Sequence, residues 1–212
     1  MTEASRQALE ILRSPGLFQW NILFGLGLVI YVYINELSRR NFEAVLLGLI
    51  FSTVELAWEM VNGLVLHFSG YAALWTTPGD TSYLILVGLN LEIFLLFLLA
   101  GVAMTRLLQG FRAEPEVRVA GMPPWFFAPL FLGLFCVAVE CALNRLGVLV
   151  WTWRFWNWPH IWVIVINYLT PFFLVTWGYY RLSQRAKGII LGVFLALDFA
   201  MWAVFVNILS WI

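Results

Sequence analysis

The chain has little of what builds a water-soluble domain. Charged residues fill only 11% of its 212 positions, and twelve acids balance twelve bases to a net charge of zero. Ordinary globular chains are about 25% charged and about 45–50% apolar. This one is 62% hydrophobic, with a mean hydropathy of +0.87. No interior of this size hides so much apolar surface, so the bilayer must take up the excess. With no basic excess, nothing points to nucleic acid as a partner. Cysteine is nearly missing: Cys136 and Cys141 stand five residues apart and face different directions on a helix. They read as small core residues, with neither a disulfide nor a metal cluster implied. His67 and His160 are too few and too far apart to imply a metal centre. The sequence therefore asks for no metal and no cofactor. The start, "MTEASRQALEILRSPG", lacks the layout of a cleaved signal peptide, and residues 1–16 read as an interfacial amphipathic segment.

What the chain does have is long apolar runs. A span needs about 20 mostly apolar residues, and six are found, at 17–35, 44–67, 82–105, 124–150, 159–180 and 188–211. Residues 17–212 thus form one all-α, polytopic transmembrane bundle, with "TTPGDTS" as a turn before the third span. "VWTWRFWNWPHIW" holds five of the twelve tryptophans and reads as a loop lying flat at one interface. Arg39, Arg40, Arg106, Arg112, Arg118, Arg181, Arg185 and Lys187 collect in loops on one side, against Arg6, Arg13, Arg145 and Arg154 on the other. That bias puts the first side in the cytoplasm.

A weak parallel repeat carries an acid. "LGLIFSTVELA" (Leu47–Ala57) aligns without gaps on "LGLFCVAVECA" (Leu132–Ala142), so Glu55 matches Glu140, and "LGVFLALDFAMW" offers a looser third copy with Asp198. At about 1.5 Å of helical rise per residue, Glu55, Glu140, Asp198 and Glu92 reach similar depth. Glu59 lies one turn beyond Glu55 on the same face. Single polar residues in spans often just bond helices together, at about 0.6–2 kcal/mol. Five acids at one depth, with Arg145 their sole basic neighbour, cannot all be ionised in a medium of low dielectric, and most must keep their protons. Such a chamber delivers protons or binds cations.

The stretch "ELAWEMV" around Glu59, with a late "ALDF" around Asp198, resembles the integral-membrane terpene cyclases of meroterpenoid pathways, the pyripyropene cyclase family with bacterial relatives. The resemblance implies seven spans where six are counted. It also implies that Glu59, with Trp58 beside it, and Asp198 form the acid–base machinery of a cyclisation started by protonation. The expected partner is a hydrophobic prenyl-type substrate entering from the bilayer, among membrane lipids. A DDxxD-type diphosphate–magnesium motif is missing, as protonation-initiated chemistry allows. On this reading Glu55, Glu92 and Glu140 support the acid pair. Trp58, Trp177 and Trp202 stabilise a passing cation through their ring faces, and Asn62 and Asn90 orient the substrate. Two other classes stay open: a proton- or cation-coupled transporter, and a non-catalytic subunit binding a lipid or pigment.

Overall fold

A computed structural model of the chain describes residues 1–79, 81–112 and 116–212. Helix α1 (Glu3–Ile11) is followed by α2 (Ile22–Ser38) and the long α3 (Phe42–Ser69). Three short strands come next, β1 (Trp75–Thr76), β2 (Leu84–Leu86) and β3 (Leu89–Asn90). The remainder is α4 (Leu91–Arg112), α5 (Pro124–Arg145), β4 (Val150–Trp151), α6 (Ile161–Arg181) and α7 (Gln184–Met201), which continues as a π-helix over Trp202–Ile208. The protein is an all-α membrane bundle: α3 to α7 are each long and apolar enough to cross a bilayer, and α2 is a shorter apolar helix of 17 residues.

The first turn of α3 is held by Asn41, whose side chain accepts from the Ala44 amide, and its end by Gly70 in the left-handed conformation at φ +59°. Near that first turn, the buried Lys187 of α7 donates to Glu43 of α3. At the far end Trp211 stacks on His67 with ring centroids 4.6 Å apart. Both pairs are 144 residues apart, so α3 and α7 run parallel and in register. Arg106 of α4 meets the buried Glu36 at 3.0 Å, and Asn41 bonds Gln109 of α4 in both directions. These contacts, with the arginines near them, form the basic end of the bundle, where α3, α5 and α7 all begin.

Lipid offers helices no hydrophobic reason to associate, so close packing must do it. Gly101 of α4 faces Gly48 of α3 so tightly that a Cβ on Gly101 would lie 2.8 Å from the Gly48 Cα. Gly133 of α5 receives Leu169 of α6 in the same way, a Cβ there meeting the Leu169 Cδ2 at 2.7 Å.

The opposite end is closed by a cap, and here the expected spans need correcting. The third span does not begin at 82. Residues 84–90 form the β2–β3 hairpin, buried beneath the cap, and α4 starts at Leu91. A short apolar run looks the same whether it enters lipid or a packed interior; Gly88 and strand pairing decide for the hairpin. Nor does the fourth span reach 150: α5 stops at Arg145, and Val150–Trp151 pairs antiparallel with Trp75–Thr76. The tryptophan-rich loop is not flat at an interface either, since Trp151 and Trp156 are buried. Helix α1 lies over this cap, with the Thr2 amide donating to the Tyr71 carbonyl and the Arg13 amide to Leu84. The Arg13 guanidinium, partly desolvated and so pulled below its usual range, donates to the Ile85 and Ile212 carbonyls.

Candidate active site

Glu59 is 3% exposed and sits one turn above Glu55 on α3. Both its carboxylate oxygens accept from the Trp75 indole Nε1 at 3.0 Å. One turn further, Asn62 donates to the Trp75 carbonyl at 2.8 Å and accepts from the Leu74 amide at 2.8 Å. Together Glu59 and Asn62 clamp β1 onto α3. Gly88 closes the same knot: a Cβ there would stand 2.5 Å from both the Asn62 Nδ2 and the Trp75 Nε1. Asn62 thus spends its side-chain bonds on the cap.

A similar contact occurs on α5, one turn out of the repeat's register. Glu140, 4% exposed, accepts from the Trp151 indole at 3.3 Å through one oxygen, and its other oxygen has no hydrogen-bond partner among the described residues. Trp75 and Trp151 are directly opposite each other in the β1–β4 pair. Glu59 of α3 and Glu140 of α5 thus each meet an indole from one cross-strand tryptophan pair, although the repeat matches Glu140 with Glu55. Trp156 stacks on Trp75 at 5.4 Å, and its own buried Nε1 is unpartnered.

Glu55, Glu140 and Tyr168 line one cavity of about 290 Å³ among α3, α4, α5 and α6, walled by Phe97, Phe135 and Phe172. That volume is at the lower edge of small-molecule pockets, which run about 300–1,000 Å³. Glu55 also lines a second, larger cavity of about 580 Å³ between α3, α6 and α7, with Trp58, Trp156, Asn167 and Pro171. This second cavity is a lateral groove: Trp58 at its edge is 36% exposed, and Leu174 and Leu197 along it are also exposed. Glu55 is therefore the acid that stands between an inner chamber and a groove facing lipid.

The structure brings together Glu55, Glu59 and Glu140 and sets the other two acids apart. Glu92 lies in the first turn of α4 and accepts from the Thr81 hydroxyl at 2.8 Å and the Ser82 amide at 2.7 Å. There it satisfies loop donors and suits the positive end of the helix dipole, so it does not stand across from Glu59. Asn90 accepts from the Ile93 amide at 2.8 Å and caps the same helix. Asp198 is 6% exposed, with both oxygens unpartnered. The α3–α7 register puts it level with Val54. Among the described residues it shares no hydrogen bond with Glu59. Trp202 is packed in a cluster with Met60, Leu86 and Leu89, and Trp177 lies at the basic end, beside Arg181. Neither reaches the acids. Trp75, Trp151, Trp156 and Tyr168 were not singled out by the sequence, since a lone tryptophan in a loop gives no hint of which buried acceptor it meets. Among the described residues no group of three His, Cys, Asp or Glu side chains is placed to hold a metal.

The chain belongs to a family described as "Uncharacterized membrane protein family", which matches residues 2–207. A relative from Archaeoglobus fulgidus, described as "Uncharacterized protein", is 39% identical over all of this chain and 99% of its own length. No solved structure matches the chain.

Proposed function

We propose that the protein is a membrane-embedded cyclase that protonates a prenyl-type substrate lying in the lateral groove, with Glu55 as proton donor. The supporting observation is that Glu55 lines both the groove, beside Trp58 and Trp156, and the inner chamber, beside Glu140 and Tyr168. In the step, the Glu55 O–H bond breaks as a C–H bond forms at a substrate double bond. The resulting cation closes onto a second double bond, and a proton lost from an adjacent carbon returns to the carboxylate. The sequence is an isomerisation and needs no outside reagent. A carboxylic acid in apolar surroundings stays protonated until used, and the ring faces of Trp58 and Trp156 stabilise the cation. The unpartnered Trp156 Nε1 is a donor available to an oxygen on the substrate. Glu59 acts as a positioning residue: through Trp75 it fixes the roof over the acids. In this reading Asp198 lies outside the reacting centre, unlike the pair implied by the resemblance.

The test is product analysis after incubating purified protein with a series of polyprenyl substrates in detergent. Cyclic product from the native chain, and none from a folded Glu55→Gln variant, supports the reading. Full activity of that variant ends it.

A second reading draws on the same placement of Glu55. An acid in the wall between two cavities also suits a proton-coupled carrier. Proton-dependent flux of a solute in proteoliposomes, without product formation, would favour it.

A further inference from the structure

A further cavity is lined by none of the five acids. It has a volume of about 860 Å³ at the basic end and is lined by Arg112 of α4, Arg118 of the following loop and Arg181 of α6, with Trp125, Trp177 and Tyr180. Arginines from three separate segments line it, and no carboxylate appears among the described lining residues. Among the described residues none of the three arginines forms an ion pair with a carboxylate. Pro123 and Pro124 stiffen the wall at the start of α5. Guanidinium forks match phosphate oxygens in pairs, which makes them the preferred ligands for such a group.

The cleft is also largely apolar, and α6 links it to the groove. Thr170 and Leu174 line the groove beside Glu55, while Trp177 and Arg181 line the cleft. Spaced by four, three and four residues, these positions form one stripe along α6. From Thr170 to Arg181 the stripe is about 16 Å long. An anionic head in the cleft would thus send an apolar tail along the stripe to Glu55.

We infer that the substrate is a prenyl phosphate or diphosphate, its head held by Arg112, Arg118 and Arg181 and its chain laid along α6 to the Glu55 groove. This rests on the cyclase reading for the fate of the tail but not for the binding of the head. The head is held and not cleaved, since the chemistry happens at the far double bonds.

The experiment is equilibrium binding of labelled farnesyl diphosphate to the full chain in maltoside micelles, which carry no phosphate. Farnesol, inorganic diphosphate and phosphatidylglycerol serve as competitors. Farnesyl diphosphate should compete at least tenfold better than each of these. Binding should weaken severalfold between low salt and 0.5 M salt, as screened charge contacts must, roughly in step with the shrinking Debye length. An Arg118→Gln/Arg181→Gln variant should lose at least tenfold in affinity. Equal competition by farnesol or indifference to salt overturns the head site, with no variant required. Equal competition by phosphatidylglycerol makes the cleft a membrane-lipid site and overturns the prenyl assignment, and equal competition by inorganic diphosphate removes the role of the stripe. Tight binding without turnover counts against the cyclase alone. Turnover with no preference for a phosphorylated head counts against this inference alone.

Discussion

The Trp75 indole Nε1 lies 3.0 Å from each carboxylate oxygen of Glu59, so one donor from the cap serves both acceptors of a buried acid. The chain returns to α3 sixteen residues later to make this bond, which ties the closure of the bundle's mouth to the acid slab beneath. Trp75→Phe keeps an aromatic ring but removes the indole donor and part of the ring volume. It should lower stability by about 1–3 kcal/mol, the cost of leaving a buried polar group unpaired. Thermal unfolding in detergent measures this, and an unchanged midpoint would show that the bond contributes nothing.

Gly88 tests the same knot from the other side. Its missing side chain leaves room for the Asn62 amide and the Trp75 indole, each 2.5 Å from where a Cβ would sit. Gly88→Ala should destabilise by about 1–3 kcal/mol through overpacking. Because the clash strikes Asn62 and Trp75 together, combining Gly88→Ala with Trp75→Phe should cost less than the two separate losses added. Full additivity would place the strain elsewhere.

The buried Lys187 donates to Glu43 where α7 begins against α3. Lys187→Met removes one partner and leaves Glu43 one-fifth exposed without its cation. Breaking a buried pair this way costs about 3–5 kcal/mol, whereas replacing both partners by apolar residues is often close to neutral. Lys187→Met should therefore be much less stable than Lys187→Met/Glu43→Leu, as melting of the two variants would reveal.

Asp198 separates the structural reading from the sequence resemblance. Among the described residues its buried oxygens have no partners, and it is not one of the residues that line the Glu55 groove or chamber. Asp198→Leu should therefore raise stability or leave it unchanged, because it removes an unsatisfied polar group from the bundle, and it should leave product formation intact. Loss of cyclisation in a well-folded Asp198→Leu protein would restore the Glu59/Asp198 pair that the resemblance implies.

The sequence conveyed the bundle well and the site only in part. Long apolar runs show as helices whatever they pack against, so α3 to α7 were foreseen with errors at their ends, while the span expected at 17–35 is the shorter helix α2, leaving five helices of spanning length among the described residues. The error at 82–90 arose because "YLILVGLN" has the composition of a span, while its strand pairing and the Gly88 turn belong to tertiary structure. Glu55 and Glu140, which the repeat matches, line one chamber. Depth alone misled for Glu92: ten residues counted from a false start placed at mid-membrane a side chain that caps α4. The cap tryptophans were invisible because their partners, Glu59 and Glu140, lie 16 and 11 residues away. No helical or strand period links such positions.

The most direct test of the account compares Glu55→Gln with Glu59→Gln in one turnover assay. Gln at 59 can still accept from Trp75 and keep the roof in place, so that variant should stay folded and retain cyclisation within about tenfold of the native rate. Gln at 55 cannot donate an acidic proton into the groove, and general acid catalysis contributes about 10²–10⁴-fold, so its product should fall by at least a hundredfold at unchanged stability. The reverse order, with Glu59→Gln inactive and Glu55→Gln active, would contradict the assignment of Glu55 as donor.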